Sequence, residues 1–515
     1  MDIKDLLVSS KSKWKEYLLL GLYFVCTTIC ELLLLLNLCL HSTHGWSIQL
    51  LIGTAFFFIP SLLLFIKLYK KHTSNIPYLF VLIGLPIVVA FSFFLIPTNV
   101  PDEPAHIIRV IDNRSGTSPL YIPEAMSFID EHWVFSYPEL WTSLNTQFDY
   151  SSWVATTKTN AGGYTEFNYL IPALIFDLGV VFNINGWISI CAARFVNALL
   201  YLIASYWMIK RLPTGKVFLF VFLLNPILLQ QASSCSADAL CNIGALCFIV
   251  QLIYMKVLPS ESFNIKEWLV LFAFAGVMGL CKYVYLVLML GCFILLPKIK
   301  RSYIKKALPV LAFALLISAL LLVVSKGYDI SRLTAWLEDP AALLLAINDT
   351  LVHEASILIW QFFGGNLGWP SLNGEEGEIE VPYAWLLLMS IMALSFGRYT
   401  NPHPLLLLSR EKWRIFVIIT ALAGSFAIFL TLMSSSNPAD GVRDISWLQG
   451  RYFIPPMLLL ALAFLDYQNL IRPHATNAVG GFSLMKDNLG ISSYIICIIV
   501  IHLISIYYIV RFFFR

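Results

Sequence analysis

Residues 76–106 read IPYLFVLIGLPIVVAFSFFLIPTNVPDEPAH and join a long apolar run to a short polar motif. The run from Ile76 to Pro97 is long enough to cross a bilayer as a helix. Asp102 and Glu103 are therefore the first charged groups beyond a predicted span. A proline on each side of this acidic pair favours extended backbone before it, which predicts a rigid turn that holds both carboxylates in place. The alternative is that the acidic pair simply begins an interfacial helix.

The composition places the chain in a membrane. Its 515 residues are 58% apolar and only 13% charged, whereas soluble domains carry about a quarter charged residues. Many apolar runs are near twenty residues long, which predicts an all-α, polytopic helical membrane protein with about thirteen transmembrane helices. Most cysteines lie inside these runs without metal-ligand spacing. Membrane lipids are the expected surroundings, and no nucleic-acid partner is expected.

Short loops rich in lysine and arginine orient the helices, because such loops stay on the cytoplasmic side. The basic loops at 67–71, 210–216 and 298–306 place the N-terminus inside and the long loops at 98–186, 326–381 and 435–450 outside. Three regions follow from this order: an N-terminal two-helix extension (1–76), a transmembrane core (77–466), and a cytoplasmic loop with a C-terminal transmembrane helix (467–515).

Within the core, the apolar runs predict individual spans after the first long loop. These spans are Trp187–Ile209, Val217–Gln230, Ala239–Tyr254, Trp268–Cys281, Tyr283–Leu296, Leu308–Val324, Tyr383–Phe396, Ile415–Met433 and Phe453–Leu465. The shorter run Tyr169–Phe182 is interrupted by Asp177, so we expect an interfacial or re-entrant helix there. Aromatic residues along the first long loop predict further helices that lie on the bilayer surface, and simple packing within the loop is the alternative.

Polar residues that suit chemistry gather on the predicted outer face. Three cations fall at that level, Arg194, Lys282 and Arg451, and converging Arg and Lys side chains suit a phosphate. The alternative is that each cation pairs with an acidic neighbour or with a lipid head group, and this alternative is the favoured interpretation for Arg194. A divalent metal held by Asp102, Glu103 and His106 is an option, and no other cofactor is expected. The other candidates at this level are Asp238, Asn366, Trp369 and Gln449.

The absence of nucleotide-binding motifs narrows the kind of donor. The sequence has neither a phosphate-binding loop of the Gly-x-x-x-x-Gly-Lys type nor a dinucleotide fingerprint. A donor that reaches carboxylates on the outer surface would have to be lipid-linked, because nucleotide sugars are cytosolic. This argument depends on the predicted topology.

Four separated motifs resemble a bacterial family of predicted membrane proteins, domain of unknown function 2142, over about residues 77–466. The motifs are Pro101-Asp-Glu-Pro-Ala-His106, Ser234-Cys-Ser-Ala-Asp238, Gly365-Asn-Leu-Gly-Trp369 and Gln449-Gly-Arg-Tyr-Phe453. More distantly, the pattern is similar to the C-type glycosyltransferases, which carry an acidic pair in the first external loop. The chain departs from them in having two extra spans before that loop and no large soluble C-terminal domain.

The resemblance implies an architecture, a reaction and a location. It implies a C-type glycosyltransferase fold with interfacial helices in the first external loop, in the bacterial cytoplasmic membrane, with the site facing outward. The donor would be a polyprenyl-phosphate-linked sugar and the acceptor an envelope glycan or lipid, with inversion at the anomeric carbon. Asp102 or Glu103 would be the base. Substrate-binding residues would be His106, Arg194, Asp238, Lys282, Asn366, Trp369, Gln449, Arg451 and Tyr452.

Two other functions fit many spans and charged groups at membrane depth. One is a transporter or flippase for a lipid-linked sugar, although the paired halves with broken helices that transporters often show are not evident. The other is a non-catalytic subunit of an envelope-polysaccharide complex. The clustering of acidic, histidine and arginine residues favours the enzyme over a pure scaffold.

Overall fold

The structure is a computed structural model. It describes residues 76–298, 335–349, 371–376, 413–433 and 450–464, apart from short gaps at 94, 99, 101, 114–118, 131–136, 146–147, 157–160, 162–163, 213–215, 258–264, 337 and 373–374. The predicted extension 1–76 (except Ile76), the C-terminal region 467–515 and most of the loop 326–381 lie outside the described residues. So do the predicted spans Leu308–Val324 and Tyr383–Phe396 and the site candidates Asn366, Trp369 and Gln449.

The described part is mostly helical, as the apolar runs predict. In chain order its helices are α1 (Ile76–Phe93), α2 (Glu103–Ile111), α3 (Tyr137–Asn145), α4 (Leu170–Val181), α5 (Gly186–Arg211), α6 (Lys216–Leu223), α7 (Pro226–Ala232), α8 (Asp238–Val257), α9 (Ile265–Cys281), α10 (Pro340–Asp349), α11 (Trp413–Met433) and α12 (Ile454–Phe464). Narrower 3-10 helices cover Glu124–Asp130, Glu166–Tyr169, Tyr283–Lys298 and Gly450–Phe453. The all-α class is thus confirmed at the level of these residues.

Among the residues that the structure describes, three helices are long and apolar enough to cross a membrane. They cover Ile76–Phe93, Gly186–Arg211 and Asp238–Lys256, and they match three predicted spans. Shorter apolar helices cover Tyr283–Leu295, Ile415–Thr431 and Arg451–Leu462. α1 packs along α5, and α8 packs along α9, so these helices form one continuous apolar core.

The predicted span Val217–Gln230 is wrong as a single helix. The structure ends α6 at Leu223 and begins α7 at Pro226. Proline has no N–H to donate and disfavours helical backbone in the residue before it, so the helix cannot run through Asn225. The Asn225 side chain instead accepts a hydrogen bond from the Ile227 N–H at 2.9 Å and caps α7.

The first long loop contains strands as well as helices. β1 (Leu120–Pro123) pairs antiparallel with β2 (Trp153–Thr156), with Leu120 opposite Thr156. In the second long loop, a shorter antiparallel pair joins β3 (Ser371–Leu372) to β4 (Glu375–Glu376). The aromatic content of the first long loop predicted surface helices, with packing within the loop as the alternative, and neither interpretation included the pairing of β1 with β2.

A helix, α4, is present where the sequence predicted an interfacial or re-entrant helix, and it has only 12 residues. At 1.5 Å per residue such a helix is too short to span a bilayer. Its Leu170, Leu174, Leu178 and Val181 side chains are exposed along one face, while the other face packs on α5. An apolar stripe of this kind suits a helix that lies at a membrane surface.

The acidic pair begins a helix and does not form an extended turn. Glu103 is the first residue of α2, and Pro104 lies in its first turn, where proline is tolerated. The interpretation of the motif as a helix start, left open by the sequence, therefore holds.

Candidate functional site

Asp238 is the centre of a charged cluster built by several distant segments. It begins α8, where the partial positive charge of the helix N-terminus favours a carboxylate. Its Oδ1 pairs with Lys282 Nζ, and its Oδ2 lies 3.0 Å from Arg451 Nε. The side chain is only 8% exposed, and each of its two oxygens contacts a cation.

Arg451 connects Asp238 to a second carboxylate, that of Asp102. Arg451 Nη2 lies 2.6 Å from Asp102 Oδ2, so one guanidinium contacts both acids. The two carboxylates differ in access, because the Asp102 side chain is 33% exposed. Asp102 also adopts left-handed backbone, with φ 65° and ψ 1°, which is uncommon outside glycine.

Glu103 faces the interior, away from this exposed position. Its Oε1 lies 3.1 Å from Arg194 Nε, and both side chains are fully buried. The carboxylate also accepts hydrogen bonds from the backbone N–H groups of Thr98 at 3.2 Å and Cys235 at 3.0 Å. Burial raises the pKa of the Glu103 carboxyl, while Arg194 and these donors oppose that effect.

Arg194 contacts three separate segments of the chain, one of which contains Glu103. From its position on α5 it donates to the carbonyl oxygens of Ser92 at 3.2 Å and Ser233 at 3.0 Å. It therefore joins the end of α1 to the serine-rich segment before α8. The interpretation of Arg194 as the partner of an acidic neighbour fits this geometry.

Lys282 links α9 to the following 3-10 helix and sits among tyrosines. Its Nζ lies 4.2 Å from the ring centre of Tyr452 and 5.4 Å from that of Tyr164. Such distances allow cation–π attraction. The Tyr285 hydroxyl donates to the carbonyl oxygen of Tyr452 at 2.7 Å, which joins the 3-10 helix after Lys282 to the segment that carries Tyr452.

The end of the first long loop is fixed directly onto α9. The Thr165 hydroxyl donates to the carbonyl oxygen of Leu280 at 2.7 Å, and the Asn168 side chain donates to that of Cys281 at 3.4 Å. These carbonyls lie at the C-terminus of α9, where helices leave acceptors unpaired. The bonds position Tyr164 above Lys282.

His106 lies on α2, one turn after Asp102. Its Nδ1 shares a 2.7 Å hydrogen bond with the Tyr169 hydroxyl. Burial lowers the pKa of His106 to about 4. The nearby carboxylates of Asp238 and Asp102 would raise that pKa, but the positive charges of Arg451 and Lys282 oppose them. The imidazole is therefore neutral at pH 7.

A cavity of about 250 Å³ opens beside the cluster. It runs between the 3-10 helix that follows Lys282, α11 and the end of the first long loop. Its walls are largely apolar and aromatic, with Tyr164, Leu280, Lys282, Tyr283, Ile428 and Tyr452 among the lining residues. An anionic head group at Lys282 could therefore continue into an apolar chain.

The structure brings together five of the predicted site residues: Asp102, Asp238, Lys282, Arg451 and Tyr452. It sets Glu103 and Arg194 in a separate buried pair. The predicted convergence of three cations therefore reduces to two that share one carboxylate.

Comparison with known sequences identifies the family. The profile described as "Predicted membrane protein (DUF2142)" matches residues 139–460, more than half of the chain. The chain belongs to the DUF2142 family. Within the DUF2142 match lie Arg194, Asp238, Lys282 and Arg451, whereas the segment with Asp102 and Glu103 precedes it. No curated protein and no solved structure matches this DUF2142 chain.

Two residues at the cluster of this DUF2142 protein were not predicted from the sequence. Tyr164 and Tyr285 both contact the Lys282 region, but tyrosine is frequent in the chain and neither belongs to a distinctive motif. Tyr285 lies two residues after Lys282, and this was the only available signal. The position of Tyr164 depends on the docking of the loop onto α9, which no local pattern reveals.

The suggested metal ligands do not converge. Glu103 is engaged by Arg194 and His106 by Tyr169. Over the part of the chain that the structure describes, no three His, Cys, Asp or Glu side chains are grouped to hold a metal ion. The residues present do not fit a metal centre at Asp102, Glu103 and His106.

Proposed function

We propose that this DUF2142 protein is a membrane glycosyltransferase of the C-type class. It moves a sugar from a polyprenyl-phosphate-linked donor to a hydroxyl of an envelope glycan or lipid, on the outer face of the bacterial cytoplasmic membrane. One observation carries the proposal. A partly exposed carboxylate, Asp102, shares a cluster with the two cations Arg451 and Lys282, and that cluster adjoins an apolar cavity.

Asp102 is the better base of the acidic pair. A general base must reach the proton that it removes, and the Asp102 side chain is one-third exposed. Glu103 is fully buried and held by Arg194. In this proposal Glu103 is a positioning residue, because it fixes the start of α2 and hence the place of its neighbour.

The two cations and the cavity suit the two ends of a lipid-linked donor. Arg and Lys stabilise the charge that a departing phosphate develops. Lys282 lines the apolar cavity, and it meets Arg451 at Asp238. The phosphate would lie at these cations and the first part of the prenyl chain in the cavity.

The reaction is a single displacement. The acceptor hydroxyl oxygen forms a bond to the anomeric carbon, while the bond from that carbon to the phosphate oxygen breaks. Asp102 takes the hydroxyl proton, and the lipid phosphate leaves with the electron pair of the broken bond. One displacement inverts the anomeric centre.

Transfer of radiolabelled sugar from polyprenyl-phosphate donors by purified protein in nanodiscs tests the proposal. Asp102→Asn should lower the rate about 10²- to 10⁴-fold, the usual effect of removing a general base. Asp149→Asn is the matched control, because Asp149 is an exposed acid in the same loop. Its rate should stay within about twofold of wild type.

Other outcomes would point elsewhere. Transfer that survives in Asp102→Asn would remove the base from this position. Translocation of the intact lipid-linked sugar without any transfer would favour the transporter alternative. Neither transfer nor translocation by protein that binds the donor would favour a non-catalytic subunit.

A further inference from the structure

The charges of the cluster cancel. Asp102 and Asp238 carry two negative charges, and Lys282 and Arg451 carry two positive charges. Each of these cations contacts at least one carboxylate. A phosphate that approaches Arg451 must therefore compete with an acid that is already there.

The two acids differ in how firmly they hold Arg451. Asp238 is almost buried and has a cation at each oxygen. Asp102 contacts Arg451 through one oxygen, is one-third exposed, and sits on left-handed backbone. Removal of one partner from a buried ion pair is strongly unfavourable, whereas exposed pairs contribute little. Asp102 is thus the partner that exchanges.

We infer that the donor phosphate replaces Asp102 on Arg451 and so releases the carboxylate that acts as base. This inference rests on the proposed function and adds a mechanism of control to it. The exchange swaps one ion contact for another and changes no covalent bond. The base becomes free only when donor is bound, so the donor binds before the acceptor hydroxyl is deprotonated.

The same charge count selects the class of donor. Once Asp102 is displaced, Asp238, Lys282 and Arg451 together carry one net positive charge, so a singly charged phosphodiester neutralises the cluster and a diphosphate leaves it at −1 or below. Uncompensated charge in a partly buried site is costly. A sugar linked through one phosphate is therefore the donor that this cluster accommodates.

Binding measurements on the full chain in nanodiscs test the exchange without any turnover. The probe is farnesyl methyl phosphate, a singly charged phosphodiester without a sugar, and farnesol is the uncharged control. Asp102→Asn should bind the probe about tenfold more tightly than wild type, because the competing carboxylate is gone. Asp149→Asn should bind it as wild type does.

A double-mutant cycle separates exchange from simple charge repulsion. The second position is Arg451→Gln, with Arg451→Met as an uncharged substitute if the first variant does not purify as folded protein. If Asp102 competes for Arg451, the gain from Asp102→Asn disappears in the Arg451 variant. An equal gain in both backgrounds, or no gain at all, overturns the exchange.

Different binding results would contradict the proposed donor class. Wild type that binds farnesyl methyl phosphate no better than farnesol overturns the proposed donor itself. Tighter binding of farnesyl diphosphate than of the phosphodiester overturns the charge argument alone, and leaves the exchange at Arg451 to the cycle.

Discussion

At the scale of single residues, the two members of the acidic pair play opposite parts. They are adjacent in sequence, yet Glu103 is buried against Arg194 and Asp102 is partly exposed beside Arg451. A helix start separates them, because Asp102 precedes α2 and Glu103 is its first residue. Neighbouring side chains at such a boundary point in different directions.

This difference predicts opposite effects on stability. Glu103→Gln leaves the buried Arg194 without its counter-charge and should lower the free energy of unfolding by about 3–5 kcal/mol. Asp102→Asn should cost less than about 1 kcal/mol, because its ion pair is partly exposed. Thermal unfolding of both variants in the same detergent measures the contrast. Equal losses would contradict the assignment of separate roles.

The buried histidine predicts a pH dependence of stability. The pKa of His106 is lowered to about 4 in the folded protein, against about 6.5 in an unfolded chain. Below pH 6.5 the unfolded chain binds the proton first, so the stabilisation is complete above that pH and is lost as the pH falls toward 4. Between pH 7 and pH 5 the wild type should lose about 2 kcal/mol that His106→Gln does not lose.

Unfolding of wild type and His106→Gln at both pH values checks this expectation. The variant carries every other titrating group, so the comparison isolates the imidazole. A parallel loss in the two proteins would show that His106 is not responsible for the acid sensitivity.

At the scale of elements, the close approach of α8 and α9 depends on Gly244. A Cβ atom built there would lie 2.9 Å from the backbone nitrogen of Met278, which cannot move as a side-chain tip can. Gly244→Ala should therefore lower the unfolding free energy by about 1–3 kcal/mol through overpacking. Gly276 on α9 is the matched control, because a Cβ there meets no described atom within 4 Å.

Both variants are compared by thermal unfolding. Gly276→Ala should be neutral or slightly stabilising, since alanine favours a helix over glycine by up to about 1 kcal/mol. A destabilised Gly276→Ala with an unchanged Gly244→Ala would contradict the packing of these two helices.

The helices also show how much of the fold could be predicted from the sequence. The helices α1, α5 and α8 follow from run length alone, since each is a long apolar stretch. The break at Asn225 could have been anticipated from Pro226, but the apolar residues on both sides hid it. The pairing of Asp102 with Arg451, 349 positions apart, depends on how the elements pack. The sequence could place both residues near the outer face but could not join them.

At the scale of the whole molecule, the proposed orientation predicts which surfaces are outside. Ala155 on β2 is exposed and lies in the first long loop, and Lys266 is exposed at the start of α9. With the basic loops inside, Ala155→Cys should react with an impermeant thiol reagent in intact cells. Lys266→Cys should react only after permeabilisation. The reverse pattern would invert the topology and move the site to the cytoplasm.

The buried contact between Glu103 and Arg194 also constrains how this sequence can drift over evolutionary time. Loss of either residue alone leaves a charge stranded in the interior, so a lineage should keep both or lose both together. Position 102 is held less firmly, because its ion pair with Arg451 is partly exposed. Descendants in which the chemistry is no longer selected would keep the buried pair while position 102 drifts. Relatives that have lost the activity could therefore be recognised from their sequences alone.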